Sequence, residues 1–504
     1  MADKFLRVAT VHMDVEHGNP RKNLDLLVWL CRSAAAMGAR LVCAPEMCLS
    51  GYVFKSPRAI AAMAETIGGR ALETLGTVAS ECQVFLVAGL AEREARTGML
   101  YNSAFALGPN GKLVGQYRKV NAEPAWAAPG PPAQDNVFLT PWGGVGLLVC
   151  SDSYHALMPR VTALKGASLI LLPTCWPGSD DGFPQSLFRL RALENGVWLL
   201  AANRGGAEEG IDLARSRSSL SDPWGQISKG TPSVVDARVR SYDLPLEGDR
   251  LADRRGEILV ARRPEHYGRV YGDLGKIKNL TSFLGLPAPG FLDVQALAPG
   301  RANPVDFLER VIDNFRPDSL VLLPQSSYSE AAAKRLGQLA KRAQVGVVWA
   351  RTGQGGQFMA SRLLGAPLKT GFGPWPIHDF GPARLMLADQ ESLWHPELAI
   401  AAAKEGVDLV LCPGAGFSRE DQLMLGLRPI EQVAVAAASP QAALVSLIPE
   451  GHGPGRGASA QAGQVAAYTV DTSLTRRKRF QDRVDFESLF LPPILDYPPQ
   501  PWQD

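Results

Sequence analysis

The stretch Val145 to Trp176, VGLLVCSDSYHALMPRVTALKGASLILLPTCW, decides how the chain is read. VGLLV is an apolar run of strand length that leads into Cys150. An amphipathic segment follows, and a second apolar run, SLILLP, closes a strand, turn, helix, strand unit. This order presents Cys150 at the C-terminal end of a buried strand and just ahead of a helix. Backbone N–H groups and the positive end of the helix dipole are expected there, and both depress a thiol pKa. Cys150 is therefore a candidate nucleophile, although on this stretch alone a cysteine buried for packing would look the same.

Upstream, FLRVATVH (Phe5 to His12) reads as a strand and Lys22 to Met37 as an amphipathic helix. LVCAP then forms a buried strand with Glu46 at its C-terminal end, where α/β sheets place ligands. Partial desolvation there is expected to raise a carboxyl pKa toward the range of a general base. A helix near Leu72 to Cys82 and the strand QVFLVAGL come next. YNSAFALGPNGKLVGQYRKV reads as a hairpin turning at Pro109-Asn110-Gly111, with Lys119 after its second strand. An ammonium beside a thiolate and a carboxylate favours both anions and can stabilise an oxyanion. Downstream, RALENGVWLLAANRGG is a helix feeding a strand, and SSLSDPWGQISKG a strand and turn. Strands alternating with helices, with hairpins between, imply a mixed α/β layered fold.

Composition bounds the rest. The 504 residues exceed one ordinary domain, so two or more are expected. Lys+Arg 52 against Asp+Glu 50 leaves a formal charge of +2, and without a long basic run nucleic acid is not expected as a partner. No apolar run approaches the ~18 residues of a membrane span, and MADKFLRVATVHM lacks a secretory apolar core, so a soluble, cytoplasmic protein is expected. Seven cysteines, an odd and uneven set, imply reduced thiols rather than a disulfide framework. No second pair joins Cys43 and Cys48 at a ligand spacing, so neither a metal nor another cofactor is expected.

Glu46 in PEMCLSGY, Lys119 in YRKV and Cys150 in LLVCSD, in this order, resemble the Glu-Lys-Cys triad of the nitrilase (carbon–nitrogen hydrolase) superfamily. RALEN, AANRGG and SDPWG match the same family, so the resemblance covers about Phe5 to Val239. Many members carry a second glutamate shortly before a Pro-Gly. EPAWAAPG places Glu123 there, ahead of Pro129-Gly130, although the loop from Lys119 to Glu123 is only VNA. The resemblance implies an α-β-β-α four-layer sandwich and cleavage of a non-peptide C–N bond through a cysteine thioester. In it Glu46 is the base, Cys150 the nucleophile, Lys119 and the Ser151 N–H the oxyanion donors, and Glu123 an orienting group. Tyr52, Tyr154 and Trp176 are candidate pocket walls. Nitrile-cleaving members usually show Cys-Trp-Glu at the nucleophile. Cys150-Ser151-Asp152 instead favours an amidase or carbamoylase acting on a small-molecule amide or N-carbamoyl substrate. The alternatives are acyl transfer to an amine, and a non-catalytic regulatory or scaffolding protein.

The second half echoes the first. FLDVQALAPGRANP parallels FLRVATVHMDVEHGNP, SLVLLPQSSYS parallels RLVCAPEMCLSGY, and ARLMLADQESLWHPELAIAAAKEGVDLVLCPGAG parallels the Cys150 unit. Gln325 stands for Glu46. The nucleophile position falls on Gln390 counting from the helix, or on Ala388 counting from the strand. Lys369 lies in APLKTGFG, without the hairpin context of Lys119. A catalytic domain over 1–278 and a silent, degenerate one over 287–504 are therefore expected, joined around Asn279 to Gly290 and ending in an extended proline-rich tail. Family members commonly pair through the helix after the nucleophile strand. Both halves keep it, as MPRVTALKGA and as PELAIAAAKEGV with its stripe of Leu398, Ile400 and Ala403. An intramolecular pseudo-dimer is the expected architecture, with further homo-oligomerisation open.

Overall fold

The computed structural model describes residues 4–131, 134–180, 182–271, 279–352, 358–360, 375–450, 453, 455–477, 479–480 and 484–485. Two compact units emerge, Met1–Ala261 and Arg262–Leu491. The division comes earlier than the Pro/Gly-rich stretch suggests. Arg262 is already committed to the second unit by a buried ion pair, Nε to Glu397 Oε1 at 2.8 Å, and Leu284 and Leu286 pack over Gly406. Lys369 and the proline-rich tail lie outside the described residues.

In the first unit, β1 (Phe5–Val11), β2 (Leu41–Cys43), β3 (Phe85–Arg93), β4 (Leu100–Leu107) and β5 (Leu113–Arg118) lie side by side in chain order. β1 to β3 run parallel, and β4 and β5 return as antiparallel neighbours. Val239–Glu247 pairs antiparallel with the outer side of β1. The parallel strands need crossovers, supplied by the helices Pro20–Ala36 and Arg70–Cys82. Pro20 opens the first helix behind an Asn19 side-chain cap. Leu27, Leu30, Leu75 and Val78 from these helices bury against Val42 and Leu86 of the sheet, each worth about 2 kcal/mol.

A second sheet holds β6 (Val137–Thr140), β7 (Gly143–Leu147), β8 (Ala167–Thr174) and β9 (Trp198–Asn203), with β7 to β9 parallel. Its helices are Leu157–Leu164 and Phe183–Leu193. Gly89 on β3 marks a close approach between the sheets. A Cβ there would lie 2.6 Å from Glu46 Cα, 2.8 Å from Pro45 O and 3.1 Å from Pro173 Cβ.

The second unit repeats these connections. Phe291–Ala298, Leu320–Leu322 and Gly346–Val348 are parallel neighbours, with Gln464–Asp471 antiparallel on the outer side. Its other sheet runs from Ile377–Phe380 through Ala383–Leu387, Leu409–Pro413 and Ala434–Ala438 to two antiparallel strands. Ladder bonds fix the equivalences. Leu148 N–H donates to Leu171 O (3.1 Å) and Ala388 N–H to Leu411 O (3.0 Å), so the residue equivalent to Cys150 is Gln390 and not Ala388. Among the described residues no helix is long and apolar enough to cross a membrane.

Candidate active site

β2, β5 and β7 direct their C-terminal ends at one point, and the loops leaving them carry Glu46, Lys119 and Cys150. All three side chains are buried, as is Glu123. Lys119 Nζ lies 2.7 Å from Glu46 Oε1 and also donates to Glu123 Oε1. Burial opposes the charge on Lys119, but the Glu123 and Glu46 carboxylates outweigh it and hold the ammonium well above the usual lysine range. For Glu123 burial likewise favours the neutral acid, and Lys119 with its hydrogen bonds overcomes it, so its pKa is lowered. An ammonium has three donors, and two are spent on these carboxylates.

Two residues that the sequence reading passed over bind the cluster together. Asn102 on β4 donates through Nδ2 to both Glu46 Oε1 (2.7 Å) and Glu123 Oε2 (2.9 Å), and its carbonyl accepts from Lys119 N–H at 2.8 Å. Asp152, fully buried, accepts from Asn121 N–H (2.7 Å), Val120 N–H (3.2 Å) and the Tyr117 hydroxyl (2.8 Å). A signal for Asn102 was present: a lone carboxamide in the apolar strand YNSAFAL asks for a buried partner.

Cys150 departs from the expectation in two ways. β7 ends at Leu147 and Cys150 opens a 3-10 turn, Cys150–Tyr154, with φ 46°. A left-handed non-glycine residue of this kind stores strain and is characteristic of functional sites. The thiol pKa is not depressed. Burial first, and the Glu46 carboxylate second, push it up to about 12, with Lys119 opposing. A thiol held this high is protonated at neutral pH. Glu46 Oε2, buried and without a hydrogen-bond partner among the described residues, is a carboxylate oxygen with a lone pair to spare.

The candidate pocket residues fall into two groups. Tyr52 belongs to the polar cluster: its hydroxyl donates to Glu123 Oε1 at 2.9 Å and its ring centroid lies 5.6 Å from Lys119 Nζ. Ser151 is buried beside Cys150, its hydroxyl 3.3 Å from the Asn121 carbonyl that accepts from it. Tyr154 and Trp176 stack on each other at 6.2 Å, and Phe183 packs on both. Asn203 holds the Trp176 backbone through two bonds, 3.0 and 2.9 Å. All seven cysteines carry free thiols, and among the described residues no three His, Cys, Asp or Glu side chains are grouped to hold a metal.

Glu46, Lys119 and Cys150 thus lie together, buried, on an α/β scaffold. The carbon-nitrogen hydrolase family model matches residues 7–246, and the chain belongs to that family. It is similar to a nitrilase of Pyrococcus abyssi, with 31% identity over 53% of this chain and 100% of the relative. An omega-amidase NIT2 of Xenopus tropicalis is 30% identical over 49% of this chain and 90% of the relative. Among solved structures, an amidase from Nesterenkonia sp. is 28% identical with a TM-score of 0.44, covering 53% of this chain and 96% of the other.

Proposed function

We propose that the first unit hydrolyses the C–N bond of a small-molecule amide through a thioester on Cys150. The observation that carries this reading is a buried cluster in which Lys119 bonds Glu46, the Glu46 carboxylate acts electrostatically on the Cys150 thiol, and Glu46 Oε2 is left unengaged. Glu46 Oε2 accepts the thiol proton as sulfur attacks the carbonyl carbon. The oxyanion receives the third N–H of Lys119 and the Ser151 N–H, which lies in the first turn of the 3-10 segment where no intrahelical acceptor exists. Collapse expels ammonia or an amine, which takes the proton from Glu46. Water then attacks the thioester as Glu46 removes its proton, the C–S bond breaks to release a carboxylic acid, and Glu46 returns the proton to the Cys150 sulfur.

Amide rather than nitrile cleavage is supported by Cys150-Ser151-Asp152 in place of Cys-Trp-Glu and by the omega-amidases among the relatives. An N-carbamoyl group offers the same electrophilic carbon and belongs in the same assay. The four-layer sandwich and the pairing of the two halves as an internal pseudo-dimer belong to this reading, carried by the family resemblance. Intact-mass and peptide mass spectrometry after incubation with amides and N-carbamoyl compounds tests it. An acyl adduct on Cys150, absent from Cys150→Ala, is expected; hydrolysis without any dependence on Cys150 would overturn the mechanism.

A further inference from the structure

We propose that Asp152 is a positioning residue, a buried clamp that holds the Lys119 loop in its working place and releases it on protonation. The geometry carries this. One carboxylate engages the two peptide N–H groups immediately after Lys119, those of Val120 and Asn121, and the hydroxyl of Tyr117 two residues before it. Ser151, its chain neighbour, binds the same loop from the other side through the Asn121 carbonyl. From β5 to Asn121 the loop is thus fastened to the turn that carries Cys150, so that nucleophile and ammonium are kept in register.

The loop has two further backbone anchors, both at Lys119, whose N–H donates to the Asn102 carbonyl and whose carbonyl accepts from Gly130 N–H. Neither reaches Val120 or Asn121. A charged acceptor buried with three donors bonds strongly, whereas the neutral acid must give one acceptor site to its own proton. The groups facing Asp152 are Lys119, which favours its ionised form, and Tyr117, whose hydroxyl does the same. Burial outweighs them and lifts the carboxyl to about 6, so the clamp is closed at neutral pH and opens in mild acid.

The kinetic consequence rests on the reading of Lys119 as an oxyanion donor, but the clamp itself is measurable without substrate. In the full chain, Asp152→Asn is expected to speed amide hydrogen exchange of the segment 118–125 at least tenfold at pH 7.5. Tyr117→Phe removes a bond that favours the charged form, so its exchange should resemble wild type at pH 7.5 and exceed it at pH 6.5. With butyramide as probe, ammonia release should show an acid limb near pH 6 that moves upward in Tyr117→Phe, and Asp152→Asn should lose kcat with KM held. Unchanged exchange in both variants would overturn the clamp, and so would an acid limb indifferent to Tyr117. If butyramide is not cleaved, that counts against the catalytic reading, and hydrogen exchange alone decides the clamp. If Asp152→Asn fails to fold, the Tyr117→Phe measurements decide it.

Discussion

Lys119 Nζ and Glu46 Oε1 are 2.7 Å apart with neither side chain exposed to solvent. With Glu123 also on the ammonium, one buried cation serves two carboxylates. Removing it leaves both uncompensated, and breaking a buried pair in this way costs roughly 3–5 kcal/mol. Lys119→Met should therefore abolish turnover and also lower the first unit's thermal midpoint by roughly 10 °C. Adding Glu123→Gln should recover part of the stability and none of the activity. Differential scanning calorimetry beside an ammonia assay separates the two effects, and a fully stable Lys119→Met would contradict the electrostatic account.

The raised Cys150 thiol makes a signed pH prediction. A group that ionises near pH 12 has a thiolate fraction that rises about tenfold per pH unit through the neutral range. Modification of the Cys150 peptide by methyl methanethiosulfonate should keep climbing from pH 7 to 10. A plateau near pH 8 would mean that the thiolate is stabilised in the resting enzyme. Glu46→Gln removes the carboxylate that opposes the thiolate, so it should speed this modification while slowing turnover by about 10⁴-fold or more.

Gly89 makes a geometric one. A methyl group there meets the Glu46 backbone at 2.6 Å and Pro45 O at 2.8 Å, well inside contact distance, so Gly89→Ala must displace the base. A small move of a catalytic group can cost about 10²-fold. Steady-state kinetics should show the loss mainly in kcat, since nothing on the Cys150 turn is touched.

How much of this was legible depended on what each residue needed. Lys119 directly follows its strand, and Glu46 and Cys150 lie three residues beyond theirs, close enough for period and run length to point to them. An α-helix N-terminus would depress the Cys150 thiol pKa, but Cys150 does not stand at one. The strand in fact stops at Leu147, and the residue lies in a strained turn buried beside Glu46. Asn102 and Asp152 act across 56 and 31 residues, and partners that distant have no local signature. The choice between Gln390 and Ala388 needed ladder hydrogen bonds, since the offset between strand end and helix start differs between the halves.

Those ladder bonds also say why the second unit should stay silent after repair. Gln390 opens an ordinary helix, Gln390–Leu393, capped by Asp389, in place of the left-handed Cys150. The loop holding Gln325 is one residue shorter: Cys48 N–H reaches Gly89 O after Pro45-Glu46-Met47, whereas Ser326 N–H reaches Ala350 O after Pro324-Gln325 alone. The missing residue is the counterpart of Met47, itself left-handed at φ 51°. The second unit thus lacks the left-handed backbone found at Met47 and Cys150, and side chains alone do not supply it. In a Cys150→Ala background, Gln325→Glu with Gln390→Cys should give no ammonia release and no acyl adduct on residue 390. An adduct there would show that the strained turn is dispensable, and with it the part of the mechanism that depends on how Cys150 is presented.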